Sequence, residues 1–260
     1  RPTASVYPDT RKFTVVGECM KLGIISDVHS NYEALKAVLR ELNREGVNRI
    51  INAGDNVGYS AFPNECIELF KAEGIEGVMG NYDEAVAFSK PVCGCGYKDE
   101  EVAHIGHLSL AWTQENVNDK TREYLSALSK HLEFESPAGK VFAMHGGLED
   151  LTQWITENDE GLLKEIALKK EARLVVVGHT HKPFVKEIDG TMFVNPGAVG
   201  RPFDGDPRAS FAILEITDTF NIQIKRIEYD VEKNIHALIN AGLPHEIGIM
   251  LRKGRDTHIA

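Results

Sequence analysis

The chain has 260 residues, 42% hydrophobic and 26% charged, which suits one soluble α/β domain built on a single substantial core. Its net charge of −10 argues against a broad grip on nucleic-acid phosphates, whereas a small phosphorylated ligand stays open because bound cations reverse the local sign. No apolar run approaches the roughly 18 residues of a membrane span, the N-terminus lacks the basic-then-apolar layout of a secretory signal, and cytosol is the simplest location.

Residues 1–19 precede Met20, which resembles a natural initiator. They are either foreign to the natural start or an upstream extension whose Lys12-Phe-Thr-Val-Val16 adds an edge strand. The expected domain covers 20–260. An apolar strand, Leu22-Gly-Ile-Ile-Ser26, runs into an Asp27–His29 loop. A helix is expected from Ser30, with Glu33 in capping-box position, a stripe of Leu35, Val38, Leu39 and Leu42, and Gly46 at its end. A second strand, Arg49-Ile-Ile-Asn-Ala53, leads to Asp55, a helix follows from Pro63, and a third short strand, Gly77-Val-Met79, ends at Asn81. This βαβαβ rhythm implies parallel strands.

Residues 84–138 are polar and read as mostly helical, clearest from Leu108 to Leu128, as an insertion that covers or borders a site like a cap. Strands resume at Lys140-Val-Phe-Ala-Met144 and Leu174-Val-Val-Val177, with a helix over 161–170 between them. After His181 the pattern turns antiparallel. Val185–Ile188 and Thr191–Val194 flank an Asp189-Gly190 hairpin turn, and strands over 210–215 and 221–229 follow. The tail from Val231 to Leu251 makes two short helices broken by Gly242 and Pro244, packed on their own domain or across a dimer.

Cys19, Cys66, Cys93 and Cys95 form no disulfide framework, and free thiols are expected. Cys93-Gly-Cys95 with His104 and His107 fits no standard zinc spacing, so a loop leading into a helix is favoured over an accessory zinc site.

The chemistry lies just after the apolar runs, where Asp27, His29, Asp55, Asn81, His145, His179 and His181 stand. Strands ending in one layer deliver their following loops to one place. An Asp-x-His pair in extended chain offers oxygen and nitrogen on one side. Asp55, alone after Gly54, has two oxygens suited to bridging two ions, and Gly178-His-Thr-His181 can send its imidazoles to different metals. Asn81 adds a neutral oxygen. Mixed shells of this kind suit Mn²⁺, Fe²⁺, Co²⁺, Ni²⁺ or Zn²⁺. Each fragment alone has an ordinary reading, such as a hydrogen-bonded histidine or a Gly-Asp turn; their joint order describes a dinuclear metal site.

Taken together, Asp27-Val-His29, Gly54-Asp55, Gly80-Asn-Tyr-Asp83, His145-Gly146 and Gly178-His-Thr-His181 resemble the calcineurin-like metallophosphoesterases. Asn195-Pro-Gly-Ala-Val-Gly200, with Asp204-Gly-Asp-Pro-Arg208 after it, looks like the small bacterial and archaeal phosphodiesterase branch. The resemblance spans about residues 21 to 251 and implies a four-layer α/β/β/α sandwich with metals at one edge. It also implies that Asp27, His29, Asp55 and His181 hold one metal, and that Asp55 bridges to a second completed by Asn81, His145 and His179. Tyr82 stands where the commonest family motif has a histidine thought to assist the leaving group, while Asp83, that histidine's usual partner, remains. A phenol with a pKa near 10 is a poor proton shuttle at neutral pH; Tyr82 is either a hydrogen-bond donor to substrate or an aromatic packed beside the site.

The expected function is hydrolysis of phosphodiester or nucleotide phosphate bonds by a metal-bridging hydroxide. Good leaving groups should be preferred. Arg201 and Arg208 are candidates for anion contacts or ion pairs. A non-catalytic interaction platform on the same fold, a phosphoprotein phosphatase and a nuclease are the alternatives. The last is weakened by the acidic charge and the lack of a basic stripe. The expected partner is a small phosphorylated substrate, with no stable nucleic-acid binding and no membrane.

Overall fold

Within single strands, alternate residues belong to different cores, and this alternation sets the layering. The computed structural model describes residues 19–96 and 99–255. In chain order these form β1 (Met20–Ile25), α1 (Tyr32–Arg44), β2 (Arg49–Asn52), α2 (Pro63–Ala72), β3 (Glu76–Gly77), α3 (Asn81–Ala87), α4 (Glu100–Asn116), α5 (Asp119–Ser126) and β4 (His131–Ser136). Then follow β5 (Gly139–Met144), α6 (Glu160–Lys170), β6 (Leu174–Val176), β7 (Phe184–Ile188), β8 (Thr191–Asn195), β9 (Ala209–Ile216), β10 (Phe220–Ile227), α7 (Val231–Asn240) and α8 (His245–Lys253). The Lys12–Val16 strand expectation lies outside the described residues.

Two five-stranded sheets result, ordered β10-β9-β1-β2-β3 and β4-β5-β6-β8-β7. Leu22, Ile24, Val141, Ala143, Leu174, Val176 and Leu214 share one core between the sheets. Ile25 faces the other way, into the core formed with α1, α2, α7 and α8. Phe142, Met144, Val175 and Val177 turn outward onto Leu163 and Ile166 of α6. Helix, sheet, sheet and helix therefore stack as four layers. Each fully buried aliphatic side chain in these cores contributes about 1.5–3 kcal/mol. No helix among the described residues is long and apolar enough to cross a membrane.

β1, β2 and β3 pair in parallel, as do β5, β6 and β8. The β7–β8 hairpin has Ile188 opposite Thr191, and both turn residues, Asp189 (φ 49°) and Gly190 (φ 80°), are left-handed, as a two-residue type I′ turn requires.

Three local expectations need correction. α1 starts at Tyr32 rather than Ser30, because Ser30 is left-handed (φ 56°) and its hydroxyl accepts from Gly58 N at 2.9 Å. Asn31 caps the helix instead, accepting from Ala34 N at 3.2 Å. β3 is only two residues long, and Asn81 opens α3 rather than ending a strand. The stretch 84–138 ends in β4, paired antiparallel with β5 across a two-residue turn, Pro137-Ala138, followed by Gly139 at φ 113°. Its helices α4 and α5 join the core of α1 and α2 through Val102, Ile105, Leu110 and Leu125, and α4 borders the site through Ser109.

Candidate metal centre

All seven predicted ligand residues follow the C-terminal ends of parallel strands. Asp27 and His29 come after β1, Asp55 after β2, Asn81 after β3, His145 directly after β5, and His179 and His181 after β6. Backbone bonds tie these loops together. Asp27 N donates to Gly54 O (2.9 Å), His29 N to Asp55 O (3.0 Å) and Gly178 N to His145 O (2.8 Å). The Asn195-Pro-Gly run serves the same end. Asn195 Nδ2 donates to Gly178 O (2.9 Å) and Thr180 Oγ1 (3.0 Å), holding the His-Thr-His loop.

Five of the seven are left-handed without being glycine: Asp27 (φ 53°), His29 (46°), Asp55 (54°), His179 (64°) and His181 (57°). That conformation costs roughly 1–2 kcal/mol per residue, and such outliers concentrate at functional sites. Gly80 carries a different constraint. A Cβ there would stand 2.1 Å from Asp55 Oδ1 and 2.3 Å from Asp55 N, so only glycine admits the Asp55 loop.

The side chains fall into two groups, Asp27–His29–His181 and Asp55–His145–His179, and within each the ligand atoms lie within 4.8 Å of one another. All are buried. The hydrogen bonds fix the imidazole tautomers. His29 Nδ1 reaches Val57 O (3.1 Å), His145 Nδ1 reaches Ala53 O (2.8 Å) and His181 Nδ1 reaches Arg201 O (2.5 Å). A carbonyl only accepts, so each Nδ1 carries its hydrogen and Nε2 is the ring atom turned inward, the one a metal would meet.

These inward nitrogens crowd onto other polar atoms of the centre. His29 Nε2 and His181 Nε2 face each other at 3.2 Å, while burial pushes His29 down to about 3. His145 Nε2 faces Asn81 Oδ1 at 3.0 Å, and the Asn81 amide cannot turn, since Nδ2 donates to Cys93 O (3.0 Å) and Cys95 Sγ (3.1 Å). Asp27 Oδ1 and His179 Nε2 are buried with no hydrogen-bond partner. Buried atoms left without a partner, as Asp27 Oδ1 and His179 Nε2 are, are costly alone and are satisfied by cations, so the donor set fits divalent transition metals.

Asp55 joins the groups. Its Oδ2 lies 3.4 Å from His145 Nε2 and 3.6 Å from His29 Nε2, while Oδ1 accepts from Tyr82 N at 2.8 Å. Burial opposes its charge, but the histidines around it outweigh burial and lower its pKa. Burial likewise pushes His145 down, and the Asp55 carboxylate more than reverses this, raising it to about 9. His179 is lowered to about 4, first by burial and then by His145.

Tyr82 and Asp83 sit behind this centre. The Tyr82 hydroxyl donates to Gly106 O at 3.0 Å and is hydrogen-bonded to Ser109 Oγ at 3.0 Å. The residue is fully buried, and burial raises the phenol well above its usual range. The ring packs beside the site with its hydroxyl on α4. Asp83 accepts from Asn56 N (2.8 Å), Asn56 Nδ2 (2.6 Å) and Gly80 N (3.0 Å), and burial with the nearby Asp55 charge raises it to about 7. It ties the Asp55 loop to the start of α3.

Cys93 and Cys95 form a disulfide, their Cα atoms 5.4 Å apart, which corrects the expectation of free thiols there; Cys19 and Cys66 are free. Gly94, left-handed at φ 74°, turns the chain back so that the two cysteines meet. Neither cysteine joins His104 or His107 in a metal-type group among the described residues. Arg201 is buried, with its guanidinium 3.9 Å from the Tyr59 ring centroid and 4.5 Å from that of Phe203. Arg208 forks onto Asp206 at 2.7–3.1 Å, the ion-pair reading.

Sequence reasoning missed the aromatic surroundings of the two histidines. Phe203 stacks on His181 (centroids 4.1 Å, 17°), and Trp154 meets His179 at 6.1 Å and 81°. Phe203 gave no periodic signal. Trp154, a lone aromatic in a polar loop soon after His145, was the available clue.

A sequence profile of the calcineurin-like phosphoesterase superfamily domain matches residues 20–219. An uncharacterised protein of Methanocaldococcus jannaschii is 31% identical over 251 residues, covering 90% of this chain and 98% of the relative. A phosphodiesterase of the same archaeon is 24% identical over 179 residues, 68% of this chain and 83% of its own. A solved metallophosphoesterase from Sphaerobacter thermophilus superposes with a TM-score of 0.71 at 31% identity, over 90% of this chain and 99% of its own.

Proposed function

Because this chain belongs to the calcineurin-like phosphoesterase superfamily, we propose that it is a hydrolase of phosphodiester or nucleotide phosphate bonds that depends on two divalent transition-metal ions. The observation that carries this reading is the convergence of two buried three-residue groups on Asp55, which lies within 3.6 Å of a histidine of each. Asp27, His29 and His181 would hold one ion and Asn81, His145 and His179 the other, with Asp55 placed to serve both. Bound there, such ions supply Lewis-acid charge for phosphoryl oxygens and activate water for attack on phosphorus.

The chain's own residues do the positioning. Carbonyls of Val57, Ala53 and Arg201 keep three imidazoles in the Nδ1–H tautomer, leaving Nε2 as the ligand atom. Asp83 orders the Asp55 loop and the Gly80 turn from behind, and Tyr82 holds Asp55 Oδ1 through its backbone N–H. The phosphodiesterase named among the relatives supports diesters over phosphoproteins, and the complete donor set supports catalysis over a platform role. The metal screen is turnover of bis-(p-nitrophenyl) phosphate with Mn²⁺, Co²⁺, Ni²⁺, Zn²⁺ and Fe²⁺. We expect activity with at least one metal, abolished by Asp55→Ala and by His179→Ala. Absence of turnover with every metal would overturn the assignment.

A further inference from the structure

We propose that Trp154 forms a subsite for a planar aromatic group esterified to the phosphate, such as the base-bearing arm of a nucleotide; the proposal deepens, and rests on, the phosphodiesterase reading above. Trp154 is 49% exposed, whereas Leu151 and Ile155 on either side are 6% and 1% exposed. The loop is thus anchored through its neighbours while the indole stays in water. Polar bonds fix it further. Gly147 N donates to Asp150 O (2.7 Å), and Thr152 N and Oγ1 both donate to Asp150 Oδ1 (2.8 and 2.7 Å). A side chain held out by a pinned loop is a built feature of the surface.

Its position gives the exposure a use. The indole stands nearly perpendicular to the His179 imidazole with centroids 6.1 Å apart, and His179 Nε2 has no hydrogen-bond partner. Trp154 therefore flanks the Asp55–His145–His179 side of the centre. The aromatic on the other side is already engaged, since Phe203 lies flat on His181 at 17° and also faces Arg201. No ring lies flat on the Trp154 face among the described residues; its ring neighbour is the edge-on His179. A phosphate at the metal centre brings one ester arm to this indole, and a flat apolar arm gains most by covering it.

The rival role for Trp154 is a plain shield over His179, and two measurements separate the roles. In the first, Trp112→Phe leaves Trp154 as the sole indole, since the chain has two tryptophans. The Mn²⁺-loaded variant is titrated with thymidine 5′-monophosphate and, separately, with inorganic phosphate. We expect saturable fluorescence quenching by the nucleotide alone. Where Trp112→Phe does not fold, the difference between wild type and Trp154→Phe gives the same reading. In the second, Trp154→Ala raises KM for thymidine 5′-p-nitrophenyl phosphate about tenfold, the order expected for one base stacked on an aromatic ring. It leaves methyl p-nitrophenyl phosphate unchanged, and Trp154→Phe restores most of the loss. Equal losses on both esters, with reduced bound metal, would make Trp154 a shield and overturn the subsite, as would turnover without quenching or a KM split. Quenching without hydrolysis of either ester would instead remove the phosphodiesterase reading and leave the aromatic subsite standing.

Discussion

Asp55 and His145 form a buried pair, Oδ2 to Nε2 at 3.4 Å, in which the carboxylate holds the imidazole up to about 9. The same Nε2 is the atom offered to a metal, so at neutral pH a proton and a metal compete for it. Raising the pH removes the competitor. Affinity for the ion on the Asp55–His145–His179 side should rise by up to about tenfold per unit between pH 7 and 9 and flatten above. About one proton should leave per ion bound at pH 7, read by calorimetry in buffers of different ionisation heat. His29, at about 3, has no proton to lose. In the metal-free chain the sign is also fixed. His145 is raised above its unfolded value of 6.5, so its contribution to stability is complete below about 6.5 and lost as pH climbs through about 9. Metal affinity independent of pH over that window would contradict the pairing.

The facing His29 and His181 nitrogens lead to a stability prediction. The two Nε2 atoms face each other at 3.2 Å, and an ion held between them binds only the folded state. Saturating Mn²⁺ at a hundred times its Kd should therefore stabilise wild type by about 2.7 kcal/mol per site. In His181→Ala the metal-dependent rise in Tm should shrink by at least the contribution of one site. Scanning calorimetry with and without metal gives the difference directly, and an undiminished rise would remove His181 from the ligand set.

Gly80→Ala tests how Asp55 is placed. The added methyl would fall 2.1 Å from Asp55 Oδ1 and 2.3 Å from its backbone nitrogen, so the Asp55 loop must move. Losing correct placement of one preorganised charged group costs on the order of 10²–10³ in kcat. We expect that loss, together with fewer than two ions per chain by elemental analysis. Wild-type activity in Gly80→Ala would show that the loop tolerates displacement.

Much of this architecture was legible because its causes are local. Ile24 and Ile25, or Val175 and Val176, face different cores, and burial on both faces leaves an unbroken apolar run in the sequence. The candidate ligand positions could be picked out because metal coordination restricts residue type, and strand ends bring distant positions together. What escaped reading depends on neighbours far along the chain. β4 is a half-buried edge strand whose Glu133 and Glu135 point to solvent, so its polarity hid it within a helical stretch. Ser30 lost the cap to Asn31 because Gly58 claims its hydroxyl. The Cys93–Cys95 pairing depends on a left-handed Gly94, and the exposure of Trp154 on the burial of Leu151 and Ile155.

Tyr82→Phe separates structural from chemical roles at the position where the family motif usually has histidine. Gly58 makes room for the ring, since a Cβ there would stand 2.4 Å from Tyr82 Cε1. The hydroxyl then ends on Gly106 O and Ser109 Oγ inside α4. Removing it leaves buried polar groups short of a partner, a cost of about 1–3 kcal/mol, or roughly 2–4 °C in Tm per kcal/mol for a domain of this size. Asp55 keeps its bond, because that donor is the Tyr82 backbone N–H. Turnover of bis-(p-nitrophenyl) phosphate by Tyr82→Phe should therefore stay close to wild type while Tm falls. The opposite pattern, an unchanged Tm with kcat down by the 10²–10⁴-fold typical of a lost general acid or base, would mean that the phenol reaches the reacting phosphate and that its burial against α4 is broken during turnover.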